Sequence, residues 1–415
     1  MNHFVRRRGE LYCEKVPLAR IADEVGTPAY VYSTATLLRH ARVFRSALRG
    51  LDVLPCYAVK AAGNLALLSL LAKEGFGFDI VSGGELHRVL RAGADPRRVV
   101  FSGVGKRPEE LEAALRAGIL QINCESEEEL EQLAAVARTM RRRAPIAIRV
   151  NPEVDARTHP YIATALATSK FGIPAARARA AFRAAAALRG LEVVGLACHI
   201  GSQIEKVRPF VEATRRMREL YLQLRADGHA LRRLDLGGGL AVPYGDGPAP
   251  ASPEEYGRAL VRALRGIDAR ILVEPGRLLV ANAGVLLTRV LLRKRGAGGR
   301  RFAVVDAGMN DLLRPALYQA FHAVEPVARP RSGAEVVDVV GPVCESADVL
   351  APHRRLPRLE PGDLIVVRTA GAYGMSMASQ YNARPRPAEV LVSGAQFRVV
   401  RRRESLDDLL RGETV

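Results

Sequence analysis

The feature that most constrains the fold is an alternation repeated eight times between about residue 50 and residue 280. In each repeat a short apolar segment ends at a polar or glycine-rich turn, and a longer segment with helical spacing follows. The eight strand ends are at Lys60, Asp79, Ser102, Asn123, Asn151, His199, Asp235 and Glu274. Eight such units predict a (β/α)₈ barrel of the α/β class, and their regularity favours it over a doubly wound sheet.

The pattern changes after the eighth unit. Strand-like segments separated by Gly/Pro-rich turns follow, and helical spacing nearly disappears until ESLDDLLRG near the end. We therefore expect a barrel over residues 36–280 and a β domain, a sandwich or a barrel, over residues 281–415. Residues 1–35 contain PAYVYS and are expected to contribute a strand to that β domain. The stretch 152–173 is longer than the other connections and is expected to form a loop over the barrel mouth.

The net charge of +18 raises the question of a polyanionic partner. Seven of the 62 basic residues are lysine and 55 are arginine. The arginines are spread along the predicted helices, and aromatic residues make up only 5% of the chain. Nucleic-acid binding would require clustered basic residues with interleaved aromatics, so we expect no nucleic-acid partner.

Location is constrained by what the sequence lacks. The N-terminus has no apolar signal segment, and no apolar run reaches the roughly 18 residues of a membrane helix. Five widely spaced cysteines support neither a disulfide framework nor a zinc site, and no other metal cluster is evident. We therefore expect a cytoplasmic protein with no membrane partner and no metal.

Lys60 is the first candidate catalytic residue, because lysine is rare here and this one ends the first barrel strand. Apolar walls would lower its pKa and suit it to a Schiff base with a carbonyl substrate or with pyridoxal phosphate. Taken alone, Lys60 could equally be a solvated strand-end lysine. The active site of a barrel lies where the strands end, so the neighbouring strand ends decide between the two readings.

Two glycine-bearing loops follow strands seven and eight, GGG at 237–239 and EPGR at 274–277. Barrels often bind phosphate at this pair of loops. Glu274 could hydrogen-bond a pyridine nitrogen and so keep the ring an electron sink, or it could simply pair with Arg277. His199 could stack on the cofactor, although a lone histidine is often a core residue. Together these features favour pyridoxal phosphate over a metal.

The β domain carries a second set of candidates. Cys344 and Glu345 are adjacent in a predicted turn, where Cys344 could be a proton donor or a small buried hydrophobe. Arg314 and Tyr318 share one face if their segment is helical, and such an arginine suits a carboxylate. Tyr373 lies in a glycine-rich loop.

The motifs along almost the whole chain resemble those of the pyridoxal-phosphate-dependent diaminopimelate decarboxylases, which have the alanine-racemase-like barrel. YAVK, HIGSQ and EPGR are shared with related amino-acid decarboxylases, whereas THPYI, MNDLLRPALY and CES are more particular to the diaminopimelate branch. Ala62 and Ala241 are minor departures from the family pattern. The resemblance implies decarboxylation of meso-2,6-diaminopimelate to L-lysine and CO₂, the last step of lysine biosynthesis.

The resemblance also implies a role for each candidate. Lys60 would hold the cofactor, His199 would stack on its ring and Glu274 would face its pyridine nitrogen. The phosphate would be held by Ser202, Gly239, Gly276 and Arg277. The far end of the substrate would be bound by Arg277, Arg314, Tyr318, Glu345 and Tyr373, of which Tyr373 would also contact the cofactor. A family member would be a homodimer in which Cys344, the proton donor, and Glu345 reach into the partner's barrel.

Four alternatives remain beside this reading. A sister decarboxylase acting on ornithine, lysine, arginine or carboxynorspermidine is disfavoured by Glu345 and Arg314, because a simple diamine end would not use the arginine. A racemase of the same barrel class would need a second base opposite Lys60. A cofactor-binding relative without catalysis conflicts with the presence of Lys60, Cys344 and Glu274. The last alternative is the nucleic-acid-binding protein considered above.

Overall fold

The computed structural model describes residues 2–155, 170–245, 247–329 and 333–415. The chain divides into two compact units. The first comprises Met1–His40, Pro243–Pro248 and Leu279–Val415, and the second comprises Ala41–Val242 and Ala249–Leu278. The first unit is built mainly of β-strands, and the second contains the barrel.

The N-terminal segment forms a small antiparallel sheet, a helix and one longer strand. Its elements are β1 (Phe4–Arg7), β2 (Glu10–Cys13), β3 (Val16–Pro17), α1 (Leu18–Val25) and β4 (Ala29–Ser33). All five residues of β4 are buried. The next helix, α2 (Thr34–Ala47), crosses from the first unit into the second.

Eight parallel strands close into a barrel, each at a position where the sequence predicts a strand. They are β5 (Val53–Ala58), β6 (Gly77–Ile80), β7 (Val99–Phe101), β8 (Gln121–Cys124), β9 (Ala144–Asn151), β11 (Leu191–Ala197), β12 (Arg233–Asp235) and β13 (Arg270–Val273). The last strand pairs with the first through Ile271 and Val53, which closes the circle. A two-residue strand, β10 (Ile173–Pro174), adds to β9.

The helices between these strands lie on the segments of helical spacing in the sequence. They are α3 (Leu65–Lys73), α4 (Gly83–Arg91), α5 (Pro108–Ala117), α6 (Glu127–Thr139), α7 (Ala178–Ala187), α8 (Val207–Ala226) and α9 (Pro253–Ala263). Ser82, Ser126 and Ser252 cap the first turns of α4, α6 and α9 with their hydroxyl oxygens. Gly118 ends α5 in the left-handed conformation.

The C-terminal part contributes a short helix after the barrel and then a mixed sheet. Its elements are α10 (Arg277–Val280), β14 (Gly284–Arg295), β15 (Arg301–Val305), α11 (Arg314–Tyr318), β16 (Val324–Pro326), β17 (Ala334–Val340), β18 (Val349–Pro357), β19 (Leu364–Val367), β20 (Ala388–Ser393), β21 (Gln396–Arg401) and α12 (Leu406–Leu409). Strand β4 lies between β14 and β20 in this sheet. Val31, Leu287 and Val390 therefore meet in one apolar core with Leu18 and Ile21 of α1.

The architecture confirms the predicted fold class, a (β/α)₈ barrel with a separate β-rich part. Within the described parts of the chain, no helix has both the length and the apolar character needed to cross a membrane.

One buried ion pair stabilises the barrel unit after β7. Lys106 is 4% exposed, and its Nζ donates to Glu129 Oε1 at 2.6 Å and to the carbonyls of Gly103 and Asn123 at 2.6 and 2.7 Å. All three donor directions of the ammonium are thus used. Removing one partner of such a pair leaves a buried charge without compensation.

We therefore expect Lys106→Met to lower the free energy of unfolding by about 3–5 kcal/mol, measured by urea denaturation. Adding Glu129→Gln should recover part of the loss, because the stranded carboxylate is then neutral. The neighbouring Arg107 is a matched control, since its side chain is 75% exposed, and Arg107→Ala should change stability by no more than about 0.5 kcal/mol. Equal losses for the two single variants would contradict a buried, stabilising pair.

Candidate active site

The end of the first barrel strand carries Lys60. It lies in a 3₁₀ turn, Val59–Ala61, directly after β5. Its Nζ donates to Asp79 Oδ2 at 2.9 Å, and Asp79 is fully buried in the neighbouring strand β6. Asp79 Oδ1 has no hydrogen-bond donor within the described ranges. Asp79 thus holds the amine at the barrel mouth, a role that its place at a strand end did not by itself reveal.

His199 follows β11 and is uncharged in this setting. Its Nδ1 accepts the backbone N–H of Gly238 at 3.1 Å, so the ring proton is assigned to Nε2. Burial, followed by the positive charges of Lys60 and Arg149, lowers the pKa of His199 well below its ordinary value. The imidazole is therefore a flat, neutral ring beside the lysine.

Glu274 is a buried acid at the end of β13. It is 6% exposed, and its Oε2 lies 3.8 Å from His199 Nδ1. Burial raises the pKa of Glu274 well above its ordinary value, and the charges of Asp235 and Asp79 raise it further. Lys60 and Arg149 act in the opposite direction but are weaker. Burial therefore favours the protonated form of Glu274.

A polar chain inside the barrel holds the second buried acid, Asp235. Asn123 Nδ2 donates to Asp235 Oδ2 and to Ser102 Oγ, both at 3.1 Å, and the Ser102 hydroxyl donates to Glu274 Oε1 at 3.5 Å. Gln121 Nε2 donates to Asn123 Oδ1 at 2.8 Å. Burial raises the pKa of Asp235 as well. The strand ends at Ser102, Asn123 and Asp235 were recognised in the sequence, but their link to Glu274 depends on closure of the barrel.

The glycine loop after β12 packs directly against backbone. A Cβ at Gly238 would lie 2.0 Å from the Glu274 carbonyl oxygen, and one at Gly239 would lie 2.2 Å from that of Gly201. Gly239 also has φ +113°, a conformation that favours glycine. The loop therefore packs against the backbone at Glu274 and against the segment that follows His199.

Ser202 and Arg277 meet beside this loop. An Arg277 guanidinium N–H donates to Ser202 Oγ at 3.0 Å, and Arg277 is 6% exposed. A cationic guanidinium, a hydroxyl and close-packed glycine backbone form a donor set that suits a phosphate group. The amine of Lys60, the neutral ring of His199 and the acid of Glu274 lie on the same barrel mouth and suit an aromatic aldehyde with a ring nitrogen. The residues present therefore fit pyridoxal phosphate.

A second polar cluster at the mouth was missed by sequence reasoning. Arg149 NH1 donates to Glu125 Oε1 at 2.9 Å, and both side chains are more than nine-tenths buried. Glu125 Oε2 accepts the backbone N–H of Gly172 at 3.1 Å, and the Arg149 guanidinium lies 4.8 Å from the Phe171 ring centre. This pair anchors the end of the connection after β9. The expected loop at 152–173 otherwise falls largely on residues 156–169, outside the described residues.

In the β-rich unit, Arg314 and Tyr318 lie on α11 as the sequence predicts. Arg314 is 6% exposed, its NH1 lies 2.9 Å from His322 Nε2, and its guanidinium lies 4.5 Å from the Tyr244 ring centre. His322 Nδ1 lies 2.8 Å from the Arg368 carbonyl oxygen. His322 therefore donates from Nδ1 and accepts from Arg314, and it holds the guanidinium in place.

The remaining candidates of this unit are more accessible. Cys344 is exposed, whereas the four other cysteines are buried. Glu345 is also exposed, and Tyr373 is half-buried with φ +56°. Within the described ranges, no group of three or more His, Cys, Asp or Glu is arranged to hold a metal ion.

Comparison with known proteins gives these features a context. Residues 34–281 match the family model described as "Pyridoxal-dependent decarboxylase, pyridoxal binding domain". The diaminopimelate decarboxylase of Pseudomonas aeruginosa is 51% identical over 100% of this chain and 99% of its own length.

Solved structures agree with that match. Diaminopimelate decarboxylase from M. jannaschii, in co-complex with L-lysine, superposes with a TM-score of 0.95 at 34% identity, covering 100% of this chain and 99% of the other. The enzyme from Helicobacter pylori, also complexed with L-lysine, has a TM-score of 0.91 at 43% identity and covers 95% of this chain and 98% of the other.

The two buried acids predict a pH-dependent stability without added ligand. A carboxyl group whose pKa is raised on folding binds more protons in the folded state. Stability therefore falls as pH rises from about 4, the unfolded pKa, to the folded pKa, which is about 6 for Asp235, by up to about 1.4 kcal/mol per pH unit per proton. We expect Asp235→Asn to reduce this slope, measured as urea unfolding free energy against pH. Asp52→Asn, at a 73% exposed side chain, is the matched control. An unchanged slope in Asp235→Asn would contradict a raised pKa at that site.

Proposed function

We propose that this chain, which belongs to the diaminopimelate decarboxylase family of pyridoxal-dependent decarboxylases, acts as its family does. It converts meso-2,6-diaminopimelate to L-lysine and CO₂, the last step of lysine biosynthesis. The observation that carries this proposal is the barrel mouth itself. There the Lys60 amine, the neutral His199 ring and the buried acid Glu274 stand on the ends of different strands. This set suits a cofactor with an aldehyde and a ring nitrogen.

The cofactor is pyridoxal 5′-phosphate, which supplies an aldehyde for the amine and a protonated ring that accepts the electron pair left when CO₂ departs. We assign Lys60 to its attachment. Asp79 orients the Lys60 amine, and its buried carboxylate balances the charge of the ammonium form. His199 presents a neutral ring for stacking.

We assign Glu274 to the ring nitrogen of the cofactor. A carboxylate facing that nitrogen would accept a hydrogen bond from it and favour the protonated ring, and the positive ring would in turn favour the ionised carboxylate against the effect of burial. Ser202, Gly239, Gly276 and Arg277 are assigned to the phosphate. The bond between Arg277 and Ser202 supports this assignment because it places a positive charge and a hydroxyl side by side.

The far end of meso-diaminopimelate carries an ammonium and a carboxylate on one carbon. We assign its recognition to Arg277, Arg314, Tyr318, Glu345 and Tyr373. Arginine is suited to the carboxylate and the acid of Glu345 to the ammonium. The buried setting of Arg314 between His322 and Tyr244 supports this role, because it fixes the guanidinium before substrate arrives. Ornithine lacks the distal carboxylate and would leave the arginine without a partner.

Cys344 is assigned to the return of the proton. The carbon that loses CO₂ breaks one C–C bond and forms one C–H bond, so one proton must be delivered to that carbon, and an exposed thiol can carry it.

We propose that the enzyme is a homodimer in which Cys344 and Glu345 serve the partner's barrel. We further propose that it acts in the cytoplasm, where an exposed catalytic thiol stays reduced.

The substrate assignment is tested with purified, cofactor-loaded protein. We expect CO₂ and L-lysine in equal amounts from meso-diaminopimelate, with kcat/KM at least about 100-fold above that for ornithine or L-lysine. The reason is that a buried arginine without its carboxylate partner costs about 3 kcal/mol. Faster turnover of ornithine would overturn the substrate assignment.

Sharing of the site between protomers is tested by complementation. Lys60→Ala and Cys344→Ala homodimers should each be nearly inactive, and Lys60→Ala should also lack the absorbance of the lysine-bound cofactor. In a purified heterodimer of the two variants, one shared site carries both substitutions and the other carries neither. The heterodimer should therefore regain about half of the wild-type activity. Verified heterodimers without any recovery would show that Lys60 and Cys344 act within one protomer.

A further inference from the structure

The turn that carries Cys344 and Glu345 is fixed by a buried acid. Asp348 is 3% exposed, and its two carboxylate oxygens accept the backbone N–H groups of Val343 at 2.7 Å and Met309 at 2.6 Å. The Glu345 N–H donates to the Val343 carbonyl at 2.8 Å, and the Asp348 N–H donates to the Glu345 carbonyl at 3.1 Å. Residues 341–348 therefore form a compact turn with a defined backbone.

The base of this turn has no spare space. A Cβ at Gly341 would lie 2.3 Å from Asp348 Oδ2 and 2.5 Å from Gly308 Cα. Asp348 and close packing thus fix the turn at Gly341 and Val343. Cys344 and Glu345 follow at an exposed surface.

Two residues from a different loop contact this pair. Asn382 Oδ1 accepts the backbone N–H of Cys344 at 2.7 Å. The Tyr381 hydroxyl donates to Glu345 Oε1. Both contacts join residues nearly forty positions apart in sequence, and both lie at the surface, where core packing does not require them.

The local backbone is suited to these contacts. Asn382 has φ +55° and Ala383 has φ +52°, and asparagine tolerates this region better than most residues do. The loop is attached to the rest of the β-rich unit by the Ser379 N–H, which donates to the Asn310 carbonyl at 2.8 Å. Tyr381 and Asn382 therefore reach the turn from an anchored position.

We propose that Tyr381 and Asn382 are positioning residues of the decarboxylase: Asn382 sets the backbone that carries the Cys344 thiol, and Tyr381 holds the Glu345 carboxylate. This inference rests on the proposed function, in which Cys344 and Glu345 act on the substrate. Tyr381 uses one oxygen of Glu345 and leaves the other for the substrate ammonium. A long acidic side chain that is already held loses less rotamer freedom when substrate binds.

The two residues act on different steps, so their variants should have different kinetic effects. Tyr381→Phe removes only a hydroxyl. It should raise KM for meso-diaminopimelate about tenfold, the lower end of the effect of a hydrogen bond to a charged group, because the contact is exposed, and leave kcat within about twofold. Tyr12→Phe, on strand β2 of the same unit, is the matched control and should change neither constant.

A double-mutant cycle shows whether Tyr381 acts through Glu345. Glu345→Ala should itself raise KM strongly. Adding Tyr381→Phe to Glu345→Ala should then change KM less than about twofold, because the carboxylate that the hydroxyl holds is absent. An undiminished Tyr381→Phe effect in the double variant overturns the positioning role of Tyr381. A normal KM in Glu345→Ala shows instead that the assignment of Glu345 in the proposed function is wrong.

Asn382 is tested through the proton that Cys344 delivers. Asn382→Gly keeps the backbone conformation and removes the acceptor, whereas Asn382→Asp keeps an acceptor oxygen. We expect Asn382→Gly to lower kcat about tenfold with KM nearly unchanged and to raise the solvent deuterium isotope effect on kcat, and Asn382→Asp to restore most of the rate. Ala383→Gly adds the same backbone freedom at the next position without removing the acceptor, so it should leave the isotope effect unchanged.

The outcomes separate the positioning role from the function that it serves. A wild-type rate and isotope effect in Asn382→Gly, with Cys344→Ala severely impaired, overturns the positioning role of Asn382 alone. A near-normal rate in Cys344→Ala shows that the proton-donor assignment itself is wrong, and the role of Asn382 falls with it. We expect the urea unfolding midpoints of all four loop variants to equal that of the wild type. A much lower midpoint in Asn382→Gly, accompanied by its loss of rate, would instead assign Asn382 to stability.

Discussion

Pairing of the eighth barrel strand with the first is the constraint on which the site depends. The register of Ile271 with Val53 closes a circle of parallel strands, so every strand delivers its carboxyl end to one mouth. Residues more than two hundred positions apart, such as Lys60 and Glu274, thereby come within electrostatic reach of each other. The interior beneath them is apolar, with Leu54, Val100 and Leu272 in one cluster. The mouth is therefore the natural place for charge in this unit.

Burial gives the mouth an unusual charge balance. Two acids, Glu274 and Asp235, are pushed toward their neutral forms, and His199 is pushed toward its neutral form as well. Desolvation thus favours the neutral forms of these three side chains, while Asp79, Arg149 and Arg277 supply the charged groups of the mouth. Lys60 is paired with the buried carboxylate of Asp79, and its own side chain is partly exposed.

Much of the fold could be predicted because its signals are local. Eight apolar runs alternate with segments of helical spacing, and Lys60, His199 and Glu274 stand out as polar residues at strand ends. The contacts that orient them are not local. Asp79 was recognised as a strand end, yet its pairing with Lys60 depends on the register of β5 with β6. Lys106 and Arg149 are not at the ends of the apolar runs, and the sequence pattern gave no sign that these two charged side chains are buried. The contacts of Cys344 with Asn382 and of Glu345 with Tyr381 join two loops, for which periodicity carries no information.

The distribution of thiols has a practical consequence. Four of the five cysteines lie in the interior, where the pKa of each is raised by burial, so they are poor nucleophiles as well as inaccessible ones. Cys344 is the one exposed thiol of the single folded chain. An electrophile should therefore react with the folded chain mainly at Cys344, the residue assigned to the last chemical step. A single fluorophore or crosslinker could thus be attached without any engineered cysteine, and a covalent inhibitor would need selectivity only against other proteins, not against other thiols of this one.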